Sequence, residues 1–212
     1  NVVLGYWKYG LVVTVVGLLI VLVTGLYAGQ VEDAQKDVQA KIADIDRKMP
    51  KVNPLAQAGI SDPDDKPEVL SEVEEGAARY EAIAAEATGV SATIAWMRAA
   101  MAWERAGKSE RVLAAYEGAH RQGSTGTLGW SAASSYAAAL GDSGDVDGAS
   151  TLLRTLADTG DGLMAEQALL SLGRLFEDAD RITESRKVYG EFAERYPQSA
   201  LSSEVSIGLS RL

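Results

Sequence analysis

Residues 166–199 read EQALLSLGRLFEDADRITESRKVYGEFAERYPQS, and the reading of this stretch decides the fold. Its apolar pattern predicts helices over 161–178 and 182–196, with Pro197 breaking the chain after the second. In a 34-residue frame, Leu172, Gly173, Phe176, Ser185, Tyr189, Phe192 and Pro197 take positions 7, 8, 11, 20, 24, 27 and 32. Small residues at 8 and 20 let two antiparallel helices approach closely. Large ones at 4, 11, 24 and 27 fill the space between them. Weaker copies stand upstream as Tyr136, Ala137, Leu140, Ala149, Leu153 and Leu156, and earlier as Trp96, Ala100, Trp103, Val112, Tyr116 and Ala119. One such pair cannot bury its apolar face alone. The units therefore stack, and the expected fold is an all-α solenoid with a concave surface.

Working outward, the repeat region covers 68–212. A lone second helix is expected over 69–87, with Gly76, Tyr80 and Ile83 at positions 20, 24 and 27. Three full pairs follow, over 91–106 and 109–121, 126–140 and 146–158, and 161–178 and 182–196. An amphipathic helix over 200–212 is expected to cap the stack through Leu201, Val205, Ile207 and Leu209.

Residues 1–31 read as a membrane segment. Tyr9–Val31 holds 23 residues without a charge, about 34 Å of helix against a hydrocarbon core of roughly 30 Å. Tyr6, Trp7, Tyr9 and Tyr27 mark its two edges. This run exceeds the apolar core of a cleavable leader. Lys8 before it and Glu32-Asp33 after it favour an inside N-terminus and repeats outside. Gly10, Thr14, Gly17, Val21, Thr24, Gly25, Ala28 and Gly29 form a stripe of small or slender residues against which another membrane helix can pack. A helical stalk is expected over 32–50, with Val38, Ile42, Ile45 and Met49 on one seam, then a proline-containing linker over 51–67. The chain begins at Asn1 rather than methionine, so a longer N-terminus is expected.

The repeat frame resembles the tetratricopeptide repeat. A short tail, one span, a stalk and a small repeat domain resemble the YfgM-type ancillary proteins of the bacterial inner membrane. The last repeat, with Phe192-Ala-Glu-Arg-Tyr-Pro197-Gln-Ser, is also similar to the repeats of TolA-binding and outer-membrane-assembly proteins. The resemblance implies a single-pass protein with periplasmic repeats, and partners such as a translocon or chaperones. It supplies no catalytic residues, and a repeat signature identifies a fold rather than a partner.

First-helix positions 2, 5, 6, 9 and 13 face the expected groove. They give Ile94, Met97, Arg98, Met101 and Arg105, then Ser131, Ser134, Ser135, Ala138 and Asp142, then Gln167, Leu170, Ser171, Arg174 and Asp178. The lysines and asparagines of a carboxylate clamp are missing from these positions. Two methionines beside arginines, above serine and alanine, suit an amphipathic helix or extended peptide. Alternatively, Met97 and Met101 pack as core against the helix of Tyr80.

Composition narrows the chemistry. Asp and Glu total 30 against 20 Lys and Arg, and every base except Lys8 lies beyond the apolar segment, so nucleic acid and anionic lipid headgroups are repelled. The absence of cysteine excludes disulfides, thiolate catalysis and cysteine-ligated metals, and His120 is the sole histidine. Gly141-Asp-Ser-Gly-Asp145 resembles a serine-protease nucleophile segment but lacks a histidine partner and any β-barrel pattern. The calcium-loop pattern beginning at Ser143 ends on Arg154 where a bidentate glutamate is needed. The expectation is a non-enzymatic scaffold with no cofactor. Its span and stalk would meet other membrane subunits, and its groove a soluble protein or peptide. Two alternatives stand beside it: a structural subunit of an energy-transducing or secretion complex without a client, and a cytosol-facing receptor.

Overall fold

The computed structural model describes residues 33–51 and 67–212. The expected span over Tyr9–Val31, with its stripe from Gly10 to Gly29, lies outside them, as do linker residues 52–66. Among the described residues no helix is long and apolar enough to cross a membrane.

All regular structure among these residues is helical. Residues 33–48 form α1. The others are α2 (Pro67–Glu86), α3 (Gly89–Arg105), α4 (Ser109–Arg121), α5 (Gly126–Asp142), α6 (Val146–Thr159), α7 (Leu163–Asp178), α8 (Ile182–Arg195) and α9 (Ser202–Arg211). The chain divides into two compact units, Asn1–Asp44 and Ile45–Leu212. In the first, α1 presents polar faces tied by pairs such as Asp37–Lys41 at 2.8 Å. In the second, each helix packs on the next in sequence. The first helices of successive pairs also touch, α3 against α5, α5 against α7 and α7 against α9. This nearest-neighbour packing is that of a helical-repeat, solenoid-like stack.

Identical turns build the three pairs α3–α4, α5–α6 and α7–α8, here the first, middle and last. The backbone N–H of Lys108, Asp145 and Arg181 donates to the carbonyl of Trp103, Leu140 and Phe176 at 3.0, 2.9 and 2.8 Å. Such a closure needs a left-handed residue just before the donor. Gly107 and Gly144 supply it without strain, and Asp180 is forced into it at φ 57°. The expected helix limits agree within two residues, Leu163 rather than Asp161 opening α7. Pro67, expected in the linker, opens α2, where a missing N–H costs no helical hydrogen bond.

Close approach at frame positions 8 and 20 is clearest in the last pair. Ser185 Oγ donates to the Gly173 carbonyl at 2.9 Å inside the core. A Cβ on Gly173 would stand 2.3 Å from the Tyr189 ring, and one on Gly208 of α9 would stand 2.6 Å from the same ring. Tyr189 is thus clamped between two glycines, which is how α9 seats. Val205 of α9 joins the core, whereas Ile207, expected to cover the end, is 55% exposed. The helix turns its glycine rather than its isoleucine towards the stack. Gly173→Ala should lower stability by about 1–3 kcal/mol, because the ring has no free direction in which to retreat. A denaturant midpoint unchanged from the parent would contradict this packing.

Candidate functional site

A tyrosine at frame position 24 fastens the pairs on either side of the middle one. Tyr116 Oη donates to Glu104, and Tyr189 Oη to Glu177, each at 2.9 Å and each to a carboxylate twelve residues upstream. Burial, then the bonded carboxylate, pushes both phenols up to about 12. Tyr80 of α2 makes the same bond to Asp46, and its phenol too is raised, first by burial and then by Asp46. Met49 fills the place opposite Gly76, where a Cβ would fall 2.1 Å from its sulfur. The expected lone helix is therefore corrected. Ile45–Pro50 gives α2 the contacts that a first helix gives in the other pairs.

The middle pair breaks this rule. Leu153 stands where the others have tyrosine, and Gly141 where they have the acid. A leucine is shorter than a tyrosine and glycine has no side chain, so no clasp forms, and Leu175 of α7 reaches into the space beside Gly141, where a Cβ would fall 2.8 Å from its Cδ1. A cleft of about 440 Å³ lies there. Ala137, Ala138, Gly141, Val146, Leu153 and Leu175 supply its apolar lining, Ser134 and Ser171 its hydroxyls, and Asp142, Arg174 and Asp178 its charges. Arg174 also pairs with Glu204 of α9. Asp142 and Asp178 end α5 and α7, where the helix dipole is itself negative, so this end of the cleft attracts cations.

Six groove residues expected from the sequence, Ser134, Ala138, Asp142, Ser171, Arg174 and Asp178, come together in this cleft. The others fall elsewhere. Arg98 lies 3.9 Å from Asp46, and Arg105 donates to the Pro50 carbonyl at 3.2 Å, so both are engaged by the last turn of α1 or the residues just after it. Met97 is half-buried, and Met101 is 50% exposed rather than core. Ser135 sits beside the Tyr116 hydroxyl. Ile94, Ser131 and Gln167 are half-buried. Leu170, expected on the groove, belongs to the core at 5% exposure, in the cluster shared with Val205.

Comparison with known proteins finds no matching family, no similar curated protein and no similar solved structure.

The remaining reactive-looking groups serve the fold. His120 stacks on Tyr136 with ring centroids 5.5 Å apart. Ser143 Oγ donates to the Leu140 carbonyl at 2.8 Å, and Asp145 accepts from the Gly148 N–H at 2.9 Å, so the Gly141–Asp145 segment is a capped turn. Among the described residues no three acids or imidazoles converge as metal ligands. From the sequence Leu153 reads as a frame position and Gly141 as part of a turn, not as residues of a cleft. Their signal was there to find, as the one pair in which neither position 12 nor position 24 can make the clasp.

The clasp has a pH signature. An unfolded tyrosine ionises near 10, while folded Tyr116 and Tyr189 hold their protons to about 12. Their contribution is whole below pH ~10 and is lost as pH rises towards ~12, because only the unfolded chain releases protons in that window. Thermal melts should therefore fall steeply above pH ~10. Replacing both tyrosines with phenylalanine should lower stability by about 1–2 kcal/mol per site at neutral pH and flatten the alkaline fall. An equally steep fall in the double variant would remove the clasp as its cause.

Proposed function

We propose that this protein is a membrane-anchored docking scaffold, a tetratricopeptide-like ancillary subunit of a larger complex in the bacterial inner membrane, with its repeats in the periplasm. The observation that carries the reading is the cleft of the middle pair. It is built from two consecutive pairs, floored by aliphatic and alanine side chains and rimmed by polar groups. Those are the properties of a surface that seats a protein segment rather than one that turns over a substrate. The uncharged Tyr9–Val31 segment supports the anchor, and the resemblance to YfgM-type proteins supports the compartment and the partner class. The small-residue stripe, Gly10, Thr14, Gly17, Thr24, Gly25, Ala28 and Gly29, would serve a neighbouring membrane helix.

The sequence itself supplies the means of closing the cleft. Gly141→Glu with Leu153→Tyr installs in the middle pair the clasp that its neighbours have. Leu175 must swing aside for the new side chain at 141, so the chain carrying both changes should remain folded, melt close to the parent temperature, and lose at least about 90% of the soluble protein that co-purifies in mild detergent. Membrane subunits should instead be lost when Gly17 and Gly25 become leucine. Soluble partners retained in full by the clasp variant would refute docking at this cleft.

A further inference from the structure

Two of the three joints between successive pairs are tied by the same ion pair. Its acid stands two residues before frame position 20 of one second helix, and its cation at the residue that opens the next. Glu74 meets Lys108 at 3.0 Å, and Asp147 meets Arg181 at 2.6 Å. At the middle joint the acid is present as Glu110, exposed in the first turn of α4. Its counterpart is an acid as well, because Asp145 opens α6. Among the described residues no ion pair joins α4 to α5 or α6. The surface there forms a second cleft of about 510 Å³, with Glu110 and Asp142 on its rim and Val112, Leu113 and Ala139 among its apolar lining. The nearby cations are committed across the preceding joint, Lys108 to Glu74 and Arg111 to Glu81.

We propose that this second cleft docks a segment of a partner protein that presents an arginine or lysine beside a bulky aliphatic residue. The guest cation supplies the charge that Lys108 and Arg181 supply at the flanking joints, and its aliphatic neighbour covers the apolar lining. Charge complementarity selects this occupant. Glu104, Glu110 and Asp142 outnumber Lys108, which also lines the cleft but is already paired with Glu74, so the site favours a cation over an anion, nucleic acid or anionic lipid. The absence of three converging ligands among the described residues argues against a metal ion. An extended guanidinium or ammonium side chain with its apolar stem matches a cleft that is apolar inside and acidic at the rim.

The test uses the full chain in mild detergent and a capped pentapeptide, Gly-Leu-Arg-Leu-Gly, titrated with methyl NMR detection. Expected are shifts concentrated at Val112, Leu113 and Ala139. Binding should weaken about tenfold when the peptide arginine becomes glutamine, and equally when Glu110→Gln is introduced. Asp145→Arg, which restores a cation at the opening of α6, should abolish binding of the peptide. It should leave the co-purification dependent on Leu153 and Gly141 unchanged, so the two sites succeed or fail separately. Equal affinity for the glutamine peptide, shifts centred on another face, or undiminished binding to Asp145→Arg would each overturn the proposal. Circular dichroism of both variants separates a binding loss from a folding loss.

Discussion

A tyrosine ring lying across a small residue, its hydroxyl given to a carboxylate twelve positions back, is the contact on which the helix pairs depend. It sets the spacing, because the ring of Tyr189 leaves no room for a side chain on Gly173 or Gly208. It also sets the register, because Glu104 and Glu177 can accept the bond only when the two helices of their pair are aligned. Burial makes the contact more demanding. A phenol withdrawn from water without its acceptor would cost about 1–3 kcal/mol. Tyr80 meets the same demand with a carboxylate from much earlier in the chain.

The middle pair departs from this plan twice. Without tyrosine and glutamate it opens a cleft on the first-helix side. Without a cation at Asp145 it leaves the joint to α4 unpaired, beside a second cleft. The last joint, by contrast, is tied by Arg154 to Glu191 and by Arg195 to Asp158 as well as by Arg181. Hydrogen bonds from both arginines hold the Glu191 carboxyl below its usual range against the opposing effect of burial. Two local rules are broken together in one repeat, and that coincidence is the expected mark of a surface shaped for something other than stability.

Much of the fold was legible because it is written in short-range signals. Period-3.6 apolar faces, glycines at turns and small residues at two frame positions place six helices of the three pairs within two residues of their limits. Contacts that bridge distant sequence were harder to foresee. Nothing local says that Asp46 will answer Tyr80, or that α9 will present Gly208 and leave Ile207 outside. Leu170 and Arg105 occupy groove positions by count, yet the first is buried in the core and Pro50 engages the second. A frame assigns direction from a helix's own geometry, and neighbours then decide what that direction faces.

Ile45–Pro50 closes on α2 across an intervening stretch, whereas the other pairs close through three residues. Closing the longer loop costs about 1–2 kcal/mol more in chain entropy. That cost is set against the Tyr80–Asp46 hydrogen bond and the packing of Met49 on Gly76. Release of Asp46 and Met49 would deprive Tyr80 of its acceptor and Arg98 of its ion pair together and uncover Gly76 of α2. The two ends of the stack are thus closed by different means, the C-terminal one by a tyrosine clamped between two glycines and the other by a carboxylate and a methionine brought in from far upstream.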